Sequence, residues 1–210
     1  MIRVHHLEAS RSHRVLWLLE ELGLPYEVIR YARDPVTMAA PPSLRAVHPL
    51  GKSPVVEDGG EVLAESGAIL ETLLDRHDLT GRLRPAAGSA AHRRYLHWMH
   101  FAEGSVMPPL LVKLYLSRLG PAGAAALPRV DGQIADNLDY MEAVLAEAPF
   151  FAGEAFSAAD IQMGYPMEAS AARGGLSESR PRLWDWLARM RARPAWQRAI
   201  ERGGRLSLPR

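Results

Sequence analysis

Two hydrophobic rhythms alternate along the first eighty residues. Ile2 to Leu7 reads as a strand; Val15, Leu18, Leu19 and Leu22 then recur at helical spacing until Gly23 and Pro25 stop the run, and Tyr26 to Tyr31 reads as a second strand. A strand, a helix and a strand of these lengths predict a βαβ unit with a right-handed crossover and parallel strands. The next pair has a different connection. Pro54 to Glu57 and Glu61 to Ala64 are joined by Asp58-Gly59-Gly60, a hairpin signal, and Ile69, Leu70, Leu73 and Leu74 then mark a helix. Residues 1–78 therefore predict βαβ followed by ββα.

LTGRLRPAAG, residues 79–88, is rich in glycine, proline and small side chains and reads as a linker. Residues 89–210 carry only helical spacing, as in Tyr95, Trp98, Phe101 and Ser105, in Ile134, Leu138, Met141 and Leu145, and in Leu183, Leu187 and Met190, with Pro194 beyond. The expected architecture is α/β followed by all-α. Pro108-Pro109 is expected to break or kink the first long helix, and Pro166 to kink a later one or be tolerated at a cost of ~3 kcal/mol. FSAAD, Phe156 to Asp160, is the clearest helix start, with Ser157 and Asp160 spaced as a capping box. Asp160 is thus read as a folding residue and not as a general acid.

Composition narrows the chemistry. The 25 basic and 24 acidic residues nearly cancel and are dispersed, which argues against a nucleic-acid partner. Cysteine is absent, excluding disulfides, thiolate metal ligands and a cysteine nucleophile; a reducing cytoplasm is the simplest location. Glu20 and Glu21 interrupt the N-terminal apolar run, no targeting segment is read there, and no stretch approaches the roughly 18 apolar residues of a membrane span. His13, His48, His77 and His92 show no metal-ligand spacing, so no metal is expected.

In its element order, with a proline just before the third strand, the first half resembles the thioredoxin fold. Where a thioredoxin carries its two cysteines this chain reads Ser10-Arg11-Ser12-His13, which rules out dithiol chemistry. With HPLGKSPVV (48–56), LAESGAIL (63–70), FSAADI (156–161) and RARPAWQRAIERG (191–203), the chain is similar over nearly its whole length to the soluble glutathione S-transferases. SRSHRVLWLLEELGLPYE and HFAEGSVMPPL look most like a bacterial and fungal serine-type subgroup.

That resemblance implies a cis bond before Pro54, a Ser53 backbone that pairs with the cysteinyl part of glutathione, Lys52 on the glycyl carboxylate, and Glu65 and Ser66 on the γ-glutamyl head. By themselves, Lys52 reads as a solvated lysine, and Glu65-Ser66 as a helix cap. Ser10 is the expected hydroxyl donor that stabilises the substrate thiolate; Ser12 is the fallback, Arg11 is a rival, and a plain capping role for Ser10 stays open. His5 and His6 alternate across the strand, and each is read as structural. The resemblance puts the electrophile on the helical half, with His97, His100, Phe101, Gly104 and Met107 as candidates, although such stripes also suit a core. It also implies a homodimer in which Glu103 reaches the neighbour's glutathione. The leading function is conjugation of glutathione, as co-substrate, to hydrophobic electrophiles; alternatives are glutathione-dependent peroxidase, reductase or dehalogenase chemistry, or a non-catalytic binding protein.

Overall fold

The computed structural model describes residues 1–208. Strands β1 (Ile2–Leu7), β2 (Tyr26–Tyr31), β3 (Val55–Asp58) and β4 (Glu61–Ala64) form one sheet in the order β2-β1-β3-β4. The β1 strand runs parallel to β2 and antiparallel to β3, and β3 antiparallel to β4, so the βαβ and hairpin readings both hold. The helix between β1 and β2 is α1 (His13–Leu22), and Gly23 ends it in the left-handed conformation that glycine adopts without steric cost. The third strand starts one residue later than expected, because Pro54 has no N–H to give the ladder. A short helix α2 (Ser43–Val47) has no counterpart in the sequence reading, since only its Leu44 is buried and no periodic stripe results.

Residues fall into two compact units, Met1–Arg82 with Ala192–Ser207, and Leu83–Arg191. The sequence pattern groups residues 89–210 as helical; the contacts assign α9 (Pro194–Gly203) to the first unit. Its Trp196 ring meets Trp17 at 4.6 Å and His13 at 4.4 Å. Arg193 forks onto the Glu21 carboxylate at 2.7 and 3.0 Å, and Arg198 reaches Glu20 at 2.7 Å. Gly203 closes the contact, because a Cβ there would lie 2.6 Å from Leu16 Cδ1 and 3.0 Å from His6 Cε1. Gly203→Ala is expected to cost about 1–3 kcal/mol through overpacking, read as a lower urea midpoint at unchanged slope.

The second unit centres on α7 (Ala158–Ala169), which is buried around nearly its whole circumference. It is flanked by α4 (Ala90–Phe101), α5 (Met107–Arg118) and α8 (Pro181–Arg191), and α6 (Leu127–Glu147) packs on α5 and α8. Both halves of the Ser157–Asp160 capping box are formed. Pro108-Pro109 does not break the first long helix. A π-helical turn over Ala102–Val106 widens it, and the prolines occupy the first turn of α5, where a missing N–H costs least. Pro109 cannot donate to Ser105 O, and the Asn137 side chain from α6 does so instead at 3.0 Å. The α7 helix likewise runs through Pro166, with a π-helical turn following at Ser170–Gly174.

Candidate functional site

The end of β1 organises the first unit's polar groups. The Ser53–Pro54 bond is cis, as the family resemblance implies. Val55 pairs with His5, so continuing the register would bring Ser53 opposite Leu7. There the ladder is closed by a side chain: the Ser53 hydroxyl accepts from Leu7 N–H at 3.2 Å and donates to His5 O at 2.9 Å. This use of the hydroxyl leaves the Ser53 backbone free of that duty, and nothing in the sequence signals it. Lys52 is exposed beside it.

Ser66 and Gly67 open α3 (Ser66–His77), and the first intrahelical bond is Ile69 N–H to Glu65 O at 2.9 Å. The N–H groups of Ser66, Gly67 and Ala68 thus lie ahead of it, at the positive end of the helix dipole. Glu65 sits at φ 70°, ψ 121°, a backbone state that costs a non-glycine residue about 1–3 kcal/mol. The Glu65 side chain makes no capping bond to this helix, and among the described residues neither it nor Ser66 is occupied as a cap. At the other end, Asp58 accepts from Arg76 at 3.1 Å and is 3.0 Å from His77 Nε2, fixing α3 to the hairpin.

Ser10 and Ser12 lie between β1 and α1. Their hydroxyls are 2.7 Å apart, and Ser10 Oγ also accepts the Ser12 N–H at 3.2 Å. Ser12 Oγ is 2.8 Å from His6 Nδ1 and 3.5 Å from Leu7 O. His6 Nε2 is 2.9 Å from Gly203 O, and since a carbonyl only accepts, Nε2 carries the proton. Burial, first among the causes, holds the His6 pKa below its ordinary value. Ser10 is 4% exposed and Ser12 0%, so Ser10 is the serine nearer the surface. Arg11 is partly exposed between them.

His5 points the other way, with its ring nitrogens 2.9 Å from Tyr31 OH and 2.9 Å from Glu57. His13 is fully buried among Trp17 and Trp196, and burial takes its pKa down to about 3, so it stays neutral. Among the described residues no three His, Asp or Glu side chains gather as a metal-binding group.

In the second unit His97, His100, Phe101 and Gly104 recur at helical spacing along α4 and its π-helical turn. His97 stacks on Phe101 at 5.2 Å and lies 3.2 Å from Tyr140 OH. His97, His100 and Gly104 are exposed, Phe101 and Glu103 partly so, whereas Met107 is buried at 1% exposure.

Known proteins share this organisation. The glutathione S-transferase N-terminal domain family matches residues 10–76 and the C-terminal domain family residues 124–189. Glutathione S-transferase 3 of Schizosaccharomyces pombe is 38% identical, covering 96% of this chain and 88% of that one. A crystal structure of a glutathione S-transferase from Actinobacillus pleuropneumoniae superposes with a TM-score of 0.89 at 34% identity, covering 99% of this chain and 95% of that one. A sphingomonad glutathione S-transferase complexed with glutathione has a TM-score of 0.78 at 25% identity, covering 96% of this chain and 98% of that one. A four-stranded sheet with its cis-proline, a helical second unit and this degree of identity over almost the full length agree: the chain belongs to the glutathione S-transferase family.

Proposed function

We propose that the protein joins the thiol of glutathione to electrophilic small molecules by stabilising the thiolate. The observation that carries this reading is the convergence on Leu7. Its N–H holds the Ser53 hydroxyl and its carbonyl faces Ser12, so the segment suited to the cysteinyl backbone and the hydroxyl pair suited to its sulfur hang on one residue. The complex of the sphingomonad relative with glutathione supports glutathione as the co-substrate.

In this reading glutathione lies extended, with its glycyl carboxylate towards Lys52 and its cysteinyl backbone on Ser53 beside cis-Pro54. The γ-glutamyl carboxylate takes the open N–H groups and hydroxyl of Ser66, and Glu65 receives the ammonium. Ser10 donates to the sulfur and Ser12 stands behind it; Arg11 is the alternative cation. Ser66→Ala is expected to weaken glutathione binding about tenfold, the worth of one charge-assisted hydrogen bond, in a calorimetric titration. Because no side chain of this segment caps α3, the same variant should leave the melting temperature within a degree or two; unchanged affinity would remove Ser66 from the site.

The electrophile is assigned to the face bearing His97, His100, Phe101 and Gly104, with buried Met107 backing it. A homodimer is part of the proposal, with Glu103 contacting the neighbour's glutathione. The exposed Leu96 on α4 and Tyr140 on α6 are apolar area that such pairing would cover. The absence of cysteine accords with a cytoplasmic role in disposing of electrophiles.

A further inference from the structure

The polarity of the buried chain Ser10–Ser12–His6–Gly203 is determined by its far end. Because His6 Nε2–H donates to Gly203 O, Nδ1 is an acceptor and takes the Ser12 proton at 2.8 Å. Ser12 Oγ then has a lone pair for the Ser10 O–H at 2.7 Å. In the resting protein Ser10 therefore points its proton inward and, with one lone pair held by the Ser12 N–H, offers the other outward. A neutral thiol arriving at Ser10 meets an acceptor. For Ser10 to turn its proton to a thiolate while His6 stays neutral, two oxygens would face each other at 2.7 Å with no proton between them.

Resting on the reading of Ser10 as the group that meets the glutathione sulfur, we propose that His6 is the terminal acceptor of the thiol proton, reached through Ser10 and Ser12. The S–H bond breaks and its proton passes to Ser10 Oγ; the Ser10 proton passes to Ser12 Oγ; the Ser12 proton passes to His6 Nδ1. Thiolate and imidazolium form together, each hydrogen bond between the sulfur and His6 Nδ1 reverses, and no electrons are exchanged. Afterwards His6 Nδ1–H donates to Ser12, Ser12 to Ser10, and Ser10 to the sulfur, while Nε2–H keeps Gly203 O.

The charges around the ring suit such a switch. Burial and Arg30, which faces His6 in register on β2, disfavour the imidazolium, and the Gly203 carbonyl and Glu8 favour it. His13 on α1, itself neutral, is the other titratable ring coupled to it. His6 is thus held neutral until a thiolate supplies the counter-charge at the other end of the relay. The end of α9 belongs to the same device. Gly203 approaches the ring so closely that a Cβ would lie 3.0 Å from its Cε1, and its carbonyl fixes the tautomer on which the direction of the relay depends.

The test is nitrogen NMR of histidine-labelled protein at neutral pH, with the His6 signals assigned by their absence in His6→Gln. Glutathione is expected to move Nδ1 from the acceptor to the protonated range, whereas S-methylglutathione, which has no thiol proton, leaves it in place. Ser12→Ala should abolish that response and lower kcat about 10²-fold, with KM for glutathione within about twofold. Glutathione that binds while Nδ1 remains an acceptor overturns the relay alone, as does a Ser12→Ala variant with full kcat. If calorimetry shows that neither peptide binds, the glutathione reading itself falls, and the relay with it.

Discussion

Replacing Ser10 by alanine is expected to raise the pKa governing kcat at saturating glutathione by about one to two units and to lower the rate at neutral pH about 10²-fold, as loss of one preorganised donor does elsewhere. Glutathione affinity should change less than about twofold, because Lys52, Ser53, Glu65 and Ser66 still hold the peptide. A free thiol titrates near ~8.5, and each unit of lowering requires ~1.4 kcal/mol of preference for the anion. In this chain Ser10 has both the position and the supply: it is the less buried hydroxyl of the pair and is backed by Ser12 at 2.7 Å. Its oxygen also accepts the Ser12 N–H, so Ser10→Ala removes a local turn contact as well. The pH profile separates the two effects, since a loosened turn lowers the rate without moving the pKa. An unmoved profile would transfer the activating role to Arg11 or Ser12.

The second large effect lies in folding. Asp160 is fully buried, and its carboxylate accepts from Phe151 N–H at 3.1 Å, Ser157 N–H at 3.0 Å, Ser157 Oγ at 3.3 Å and Trp186 Nε1–H at 3.2 Å. Asp160→Ala leaves these donors buried and unmatched at about 1–3 kcal/mol each, so a loss of about 4 kcal/mol is expected, a large part of the stability of an ordinary domain. Burial pushes the carboxyl up to about 6 against the pull of those four donors. The folded chain therefore holds a proton between about pH 4 and 6 that the unfolded chain, titrating near 3.8, does not. This group's contribution to stability is complete below the unfolded value and falls by ~3 kcal/mol as pH rises through about 6. In denaturant titrations across that window, Asp160→Asn should lack this slope. If wild type and variant keep a constant gap, the carboxyl is not shifted.

Much of this site can be read from residue order because its parts are local. The strand and helix rhythms, the proline before β3, the Glu65-Ser66 helix mouth and the Ser157–Asp160 box each lie within a few residues, where periodicity and turn chemistry leave a pattern. Contacts between distant residues leave none. Gly203 meets His6 because α9 returns to α1, and neither residue signals the other across the intervening chain. Ser53 reads as a residue with a useful backbone, yet its hydroxyl closes the ladder to β1, an exchange visible only once the register is known. The Pro108-Pro109 pair signals a disturbance, but whether the helix breaks or widens depends on Asn137 in another helix supplying the missing donor. His6 reads as structural in the sequence for the same reason: its partners are a backbone carbonyl from the far end of the chain and a hydroxyl whose direction depends on it.

The central claim, that this fold binds glutathione and ionises its sulfur, is tested most directly by thiolate absorbance of the glutathione complex followed across pH. In the wild-type protein the bound thiol is expected to titrate about one to two units below the ~8.5 of the free thiol, and in Ser10→Ala to return towards it. A bound thiol that titrates like the free peptide would contradict the claim.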